Sequence, residues 1–235
     1  MFAGAAVHHV EHSPATTSRS VVVAGPEGLE VIHEPDVNTC LWSRPLHADF
    51  AAALTSFSMS RGPVESSLAV SAGEPLELRL GSLIETLVLP APLQAAVLLD
   101  VLFLVGVYAS LARPPVIRVT VGLVADDSCR RFHTDQIGLR LVCTYAGPGT
   151  ECAPDSAVAR SALGQHYASN DLANLAIVPR GRAVRRAGVG DVVLLKGDDW
   201  PGNRGRGAVH RSPPIEDLGL RRLVLVVNTP PGVEG

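Results

Sequence analysis

Aromatic side chains are scarce in this sequence: Phe, Tyr and Trp together make up 4% of its 235 residues. Stacking platforms for single-stranded nucleic acid are correspondingly few. Nor is there an excess of positive charge: the formal net charge is −3, which leaves no electrostatic footprint for a phosphate backbone. Arginines do gather between Arg180 and Arg186 and between Arg204 and Arg211, and they read as solvated loop residues that suit an anionic small molecule. The cysteines Cys40, Cys129, Cys143 and Cys152 make no C-x-x-C pair and no zinc-ribbon spacing. Scattered in this way they point to reduced, mostly buried thiols of a cytoplasmic protein, with a disulfide at Cys129 as the alternative. Met1–Thr17 has no basic stretch leading into an apolar core, so no signal peptide is expected. Internal repeats and low-complexity tracts are also missing.

The chain is long enough for one sizeable core. One apolar run, Leu93–Ala112, approaches the length of a membrane span, but Asp100 lies inside it. A charge near the bilayer centre costs at least about 2.5 kcal/mol, so this run is expected to be a core helix packed on a sheet, with no membrane partner. Residues 1–28 read as a flexible tail ending in a short strand near Val21–Ala24. Residues 29–115 read as a helical and mixed supporting layer. It holds a strand at Leu29–His33, a helix opened by Pro45 that runs to about Ser58, and the apolar helix, ended by Arg113-Pro114-Pro115. Residues 116–228 are short strands separated by Gly, Pro and Asp: 116–124, 129–136, 139–145, 183–186, 191–196, 207–211 and 220–228. That spacing argues for a sandwich, jelly roll or barrel. The excursion between Tyr145 and Val184, with a turn at Gly147–Glu151 and a short helix near Ser156–Gln165, reads as a functional loop. Residues 29–228 are expected to form one compact domain.

Within the β-rich half, Cys129-Arg-Arg-Phe-His-Thr-Asp135 places His133 and Asp135 one residue apart between strand-like segments. On a strand, residues i and i+2 point to one face, so an imidazole and a carboxylate project side by side. The pair alone is a weak signal, because composition yields about one His-x-Asp/Glu in such a chain by chance. Two others occur. His9/Glu11 lies in the polar N-terminal stretch, and His47/Asp49 opens a helical pattern, where i and i+2 diverge by roughly 200°. Both read as incidental. A third ligand is available at His210, in Ala-Val-His-Arg-Ser-Pro-Pro. Two His and one carboxylate with open positions is the arrangement of non-haem Fe(II) oxygenases. The strand carrying His210 and the last strand, opening with Arg221 and Arg222, read as antiparallel neighbours that put His210 and one Arg on the same inward face. A guanidinium there would hold a carboxylate bidentately.

This order of H-x-D, a distal His and an Arg about ten residues beyond it resembles the Fe(II)/2-oxoglutarate-dependent dioxygenase superfamily over Val116–Asn228. Arg-Phe-His-Thr-Asp, Thr-Tyr-Ala-Gly-Pro-Gly-Thr-Glu and His-Arg-Ser-Pro-Pro also resemble an uncharacterised bacterial family thought to share that fold, and Glu30–Asn38 extends the likeness into the first half. The resemblance implies a double-stranded β-helix, a cupin-like jelly roll, with an N-terminal helical layer packed outside it. It implies that His133, Asp135 and His210 are the metal ligands and catalytic residues. Arg221, in Gly219-x-Arg221, would bind the distal carboxylate of 2-oxoglutarate; Arg222 is the fallback, since a one-residue shift swaps faces. A surface ion pair with Glu216 or Asp217 is the other reading of Arg221. Arg140, on the next strand, suits a substrate carboxylate or a carboxylate of the protein itself.

The implied cofactors are Fe(II), 2-oxoglutarate and O₂. The implied activity is oxidation of an unactivated C–H bond of a small polar, amino-acid-like metabolite, by hydroxylation or by desaturation or ring closure. With Asp135 present there is no vacant halide position, and halogenation is disfavoured. One competing reading is a cupin-like zinc-binding protein without oxygenase activity, which suits the same His₂Asp set but needs no carboxylate clamp. The other is a β-sandwich in which His and Asp are incidental. The expected partner is a small-molecule substrate, not nucleic acid; the oligomeric state is left open.

Overall fold

The computed structural model describes residues 17–71, 73–126 and 128–230. Its first half runs β1 (Arg19–Val23), a 3₁₀ segment (Pro26–His33), β2 (Val37–Trp42), α1 (Ala48–Ser60), β3 (Val64–Ser71), α2 (Leu76–Glu85) and α3 (Ala91–Ala112). Then come β4 (Val116–Val124), β5 (Leu139–Ala146), β6 (Glu151–Ala153), two short 3₁₀ turns (Asp155–Ala157 and Arg160–Ala162) and α4 (Asn170–Ile177). The chain ends through β7 (Arg185–Arg186), β8 (Val192–Lys196), β9 (Val209–Arg211), a 3₁₀ turn (Glu216–Leu218) and β10 (Arg222–Asn228).

The strands form a seven-stranded sheet, ordered β1-β2-β8-β5-β10-β4-β3, and a three-stranded sheet, ordered β7-β6-β9. Pairing is antiparallel throughout except between β1 and β2. The architecture is therefore mixed α/β around a large, mainly antiparallel sheet.

Period-two alternation decides which face of that sheet meets which layer. Leu139, Leu141, Cys143 and Tyr145 of β5, and Leu223, Leu225 and Val227 of β10, point to one side. There they share a core with Leu54 of α1, Leu80 and Ile84 of α2, and Val101, Leu104 and Tyr108 of α3. The intervening residues face the small sheet: Leu41, Val142, Val193 and Leu195 pack with Cys152, Ala187 and Ala208. Beyond it, α4 closes a third cluster through Ala173 and Ile177 against Phe132, Ala153 and Val209.

The apolar run forms α3, long and apolar enough to cross a membrane by length and composition. One face, with Val97, Val101, Leu104, Val105, Tyr108 and Leu111, is buried in the core. Its charge is matched within the protein: Arg44 Nη2 donates to Asp100 Oδ2 at 2.9 Å, and the Tyr145 hydroxyl donates to the same oxygen at 2.7 Å. The helix stops at Arg113, which turns left-handed at φ 45 just before Pro114 and Pro115.

Several local expectations change. Leu29–His33 is not a strand: the 3₁₀ segment opened by Pro26 brings Leu29 and Ile32, three residues apart, onto one face where both are fully buried. The strand expected near Val21–Ala24 forms as β1 but begins earlier, at Arg19, and this edge strand is tied down where the Arg19 backbone N–H donates to the Asp36 carbonyl. Residues 29–115 supply β2 and β3 to the large sheet and are thus more than an outer layer. Leu76–Glu85, where the sequence pattern alone selects neither strand nor helix, forms α2. The helix expected near 156–165 is two 3₁₀ turns, and α4 lies further on, capped where Leu172 N–H donates to Ser169 Oγ at 3.2 Å. All four cysteines are free thiols; Cys129 is exposed and the other three are buried. The His9/Glu11 pair lies outside the described residues.

Candidate metal centre

No regular strand forms over residues 129–136; the segment touches sheet structure at a single antiparallel bridge, His133 to His210. His133 N–H donates to the His210 carbonyl at 3.0 Å, and His210 N–H returns to the His133 carbonyl at 3.1 Å. The two imidazoles are brought together by this bridge, their ring centroids 4.5 Å apart and their planes tilted by 50°. Asp135, two residues on, turns into the same space: its Oδ1 lies 3.7 Å from His133 Nε2 and its Oδ2 lies 3.4 Å from His210 Nε2. One ligating atom from each of the three residues lies within 4.8 Å of the others. His47 and Asp49, by contrast, are solvent-exposed at the start of α1 and converge on nothing else.

The segment is held in place from both sides. Asp198 anchors the C-terminal half. Its Oδ2 accepts from Thr134 Oγ1 at 2.8 Å and Gln136 Nε2 at 2.9 Å, its Oδ1 accepts from Gly207 N–H at 2.8 Å, and its own N–H donates to the Asp135 carbonyl at 2.8 Å. Gly197 makes the approach possible: a Cβ there would lie 2.0 Å from the Ile137 carbonyl oxygen and 2.8 Å from that of Asp135. On the other side Asn174 of α4 accepts from Phe132 N–H at 2.8 Å and donates to the Arg130 carbonyl at 3.1 Å. The alternation that singled out His133 and Asp135 carries no trace of these supports.

Proton placement follows from the partners. His133 Nδ1 lies 2.8 Å from the Arg131 carbonyl and His210 Nδ1 lies 3.0 Å from that of Ala208. A carbonyl only accepts, so each Nδ1 carries a hydrogen, and in the neutral imidazole Nε2 is the lone-pair atom, turned inward. Burial holds the His210 imidazolium well below its usual range, down to about 4, against the pull of Asp135. Two lone pairs thus face a carboxylate. Asp135 is nine-tenths buried; its Oδ2 lies 3.1 Å from Arg140 Nη1, yet accepts no properly directed hydrogen bond. Buried carboxylate oxygens are rarely left this way. The three donors fit a small divalent cation whose ligands are two neutral imidazoles, oriented by their own Nδ1–H contacts, and one carboxylate.

A cavity of about 160 Å³ opens onto the centre, lined by residues including His133, His210, Arg140, Arg222, Thr150, Ser212, Cys129 and Glu65. Arg222 lines it; Arg221 does not. The reason is register: Arg222, Val224 and Val226 share the face of β10 turned away from the helices. The expectation of adjacent strands also changes, because His210 stands on the small sheet and Arg222 on the large one. Arg222, only 4% exposed, donates from Nε to the Pro148 carbonyl at 2.7 Å and from Nη1 to Ser212 Oγ at 3.1 Å. Its Nη2 reaches the hydroxyls of Thr144 and Thr150, both at 3.3 Å. Burial lowers its pKa to about 10, which leaves the guanidinium charged at neutral pH. Arg140 is turned toward Asp135 of the protein itself.

The model of a family described as "Protein of unknown function (DUF1826)" matches residues 24–228. The chain belongs to this family. No curated protein matches the sequence of this DUF1826 member. Among solved structures it is similar to the Fe(II)/(alpha)ketoglutarate-dependent dioxygenase TqaL, at 13% identity over 89% of this chain and 88% of that one, with a TM-score of 0.46. A prolyl-4-hydroxylase of Pseudomonas putida matches at 12% identity over 87% of this chain and 97% of its own, with a TM-score of 0.40. A Neurospora crassa protein, solved in complex with alpha-KG and 5-formyluracil, matches at 12% identity over 87% of this chain and 78% of its own, with a TM-score of 0.39. Likeness at this level says nothing about the chemistry of the DUF1826 chain, which rests on its own side chains.

Proposed function

We propose that this DUF1826 protein is a non-haem Fe(II)/2-oxoglutarate-dependent oxygenase that oxidises a C–H bond of a small polar metabolite. In this reading the two facing sheets are a double-stranded β-helix formed mainly by residues 116–228, and the segment from residue 29 completes the same domain. The observation that carries the proposal is Asp135 Oδ2. It is a buried carboxylate oxygen without a directed hydrogen bond, facing Nε2 of His133 and of His210, and those two imidazoles line a cavity that also contains a buried guanidinium.

His133, Asp135 and His210 would hold Fe(II), leaving positions open for a co-substrate and O₂. Bound Fe(II), with 2-oxoglutarate and O₂, supplies the oxidising power for cleaving an unactivated C–H bond. The protein's residues bind and orient. Arg222 would take the distal carboxylate of 2-oxoglutarate. Four of its five N–H groups are engaged, one Nη1 hydrogen remains, and Ser212, Thr144 and Thr150, which accept from it, keep their hydroxyl protons free to donate. Arg140 draws Asp135 Oδ2 toward itself and so fixes the carboxylate's rotamer. Val142, Val224 and Val226 line the cavity with apolar surface that keeps water from the reacting atoms.

A zinc-handling module with the same three ligands has no use for a buried guanidinium in the ligand cavity. Iron-dependent release of succinate from 2-oxoglutarate, measured across a panel of small polar metabolites and abolished in Asp135→Ala, is the expected result. Purification with tightly held zinc and no 2-oxoglutarate turnover with any metabolite would refute the assignment.

A further inference from the structure

The charges around the cavity are unequally committed. Arg140 is turned to Asp135, and Arg222 to Pro148, Ser212, Thr144 and Thr150. Asp126 accepts from the backbone and hydroxyl of Ser128, at 3.1 and 2.7 Å. Glu65, on edge strand β3, also lines the cavity, and its orientation can be read from the register. Glu65 pairs with Gly122 of β4, Gly122 with Val224 of β10, and Val224 with Thr144 of β5. These four residues form one row across the sheet, with Thr144 beside Arg222 at one end and Glu65 at the other. Three strand spacings separate the ends, roughly 14 Å.

Gly122 leaves a gap in that row, and Glu65 lies across it. A Cβ on Gly122 would sit 3.4 Å from both Cγ and Oε2 of Glu65. The carboxylate of this exposed residue is therefore folded over Gly122, on the face of the sheet that lines the cavity. Between the two ends the floor is aliphatic, supplied by Val124, Val142, Val224 and Val226.

We infer that Glu65 is the specificity determinant of this cavity and that the substrate carries a cationic nitrogen, an ammonium or amidinium, on a short aliphatic stem. The stem lies on the valine floor and the cation meets Glu65, at the end opposite Arg222. This rests on the oxygenase reading, which assigns the Arg222 end to the co-substrate. It replaces the expectation, drawn from the arginine-rich loops, of an anionic substrate: Arg180, Arg182, Arg185, Arg186 and Arg204 do not line the cavity.

The test uses three probes that differ only in the head group: n-pentylamine, pentan-1-ol and pentanoate. Each is titrated at neutral pH into the full-length protein in the presence of Fe(II) and 2-oxoglutarate without oxygen, with binding followed by ligand-observed NMR. The amine should bind about three- to tenfold more tightly than the alcohol, the range expected of a half-solvated ion pair, and pentanoate most weakly. Glu65→Gln should erase the preference for the amine and Glu65→Lys should reverse it in favour of pentanoate. Equal binding of the three, no binding of any, or an amine preference that survives Glu65→Gln would overturn the inference. The visible absorption of the iron–2-oxoglutarate complex, recorded on the same samples, reports separately on the oxygenase reading. A normal band with no head-group preference leaves that reading standing and removes only the role of Glu65.

Discussion

At the scale of single residues, the centre depends on groups that contact no ligand. Asp198 ties Thr134, Gln136 and Gly207 together around Asp135. Asp198→Ala is expected to weaken metal binding by about 10–100-fold, the usual cost of losing such a support, while the far-ultraviolet circular dichroism stays unchanged. Competition against a chromophoric chelator measures it. For 2-oxoglutarate, Arg222→Ala should raise the dissociation constant at least about tenfold, since a charge-assisted pair is lost. Arg221→Ala should change it less than about twofold, because that side chain does not line the cavity. A second residue-scale effect concerns Lys196, the only lysine in the sequence and 1% exposed. Its amine donates to the Glu34 carbonyl at 2.8 Å and sits over the Trp200 ring. Burial, with Arg206 nearby, lowers its pKa from 10.5 to about 8 despite Asp36 and Glu34. Between those two values the unfolded chain binds more protons than the folded one, so stability rises with pH across that window. From pH 7.5 to 9.5 the native protein should gain up to about 1–2 kcal/mol relative to Lys196→Met, read from urea midpoints.

At the scale of elements, short apolar runs set off by Gly, Pro and Asp were plain in the sequence and irregular segments were not. Leu139–Tyr145 and Leu220–Asn228 are such runs, and they form β5 and β10, buried at most positions. Alternation misleads at Leu29–His33, where a leading proline and two buried residues three apart satisfy a 3₁₀ turn equally well. It also gives a strand at 129–136, where the backbone bonds go to Asn174, Asp198, Ser212 and one bridge to His210 instead of to a ladder. The convergence of His133, Asp135 and His210 was legible because their chemistry is distinctive. The choice between Arg221 and Arg222 was not, because it turns on one residue of register. Glu65 left no signal either, since its meaning comes from Gly122, a strand partner far away in the chain. At this scale the Arg44–Asp100–Tyr145 group is what lets the apolar α3 carry a charge on its way across the sheet. Asp100→Ala leaves a largely buried guanidinium unpaired and should cost about 3 kcal/mol; removing both partners, as Arg44→Leu with Asp100→Leu, should cost markedly less. Chemical denaturation of the single and double variants checks the pair.

At the scale of the whole molecule, the fold brings together parts of the chain that are far apart in sequence. The helices bury one face of the seven-stranded sheet, which frees the other face to meet the three-stranded sheet and the cavity between them. His133 and Asp135 arrive on an irregular crossing segment, His210 on the small sheet, Arg222 and Glu65 on two strands of the large one. Only the intact two-sheet arrangement assembles that set, so activity should be lost in one cooperative step with the fold. The most direct measurement is anaerobic absorption spectroscopy of the protein with Fe(II) and 2-oxoglutarate. A weak visible charge-transfer band should appear, absent from His133→Ala, Asp135→Ala and His210→Ala and weakened in Arg222→Ala at subsaturating 2-oxoglutarate. A folded protein that shows no band, or a band that persists undiminished when His210 is replaced, would contradict the assignment of these three residues to a single iron site.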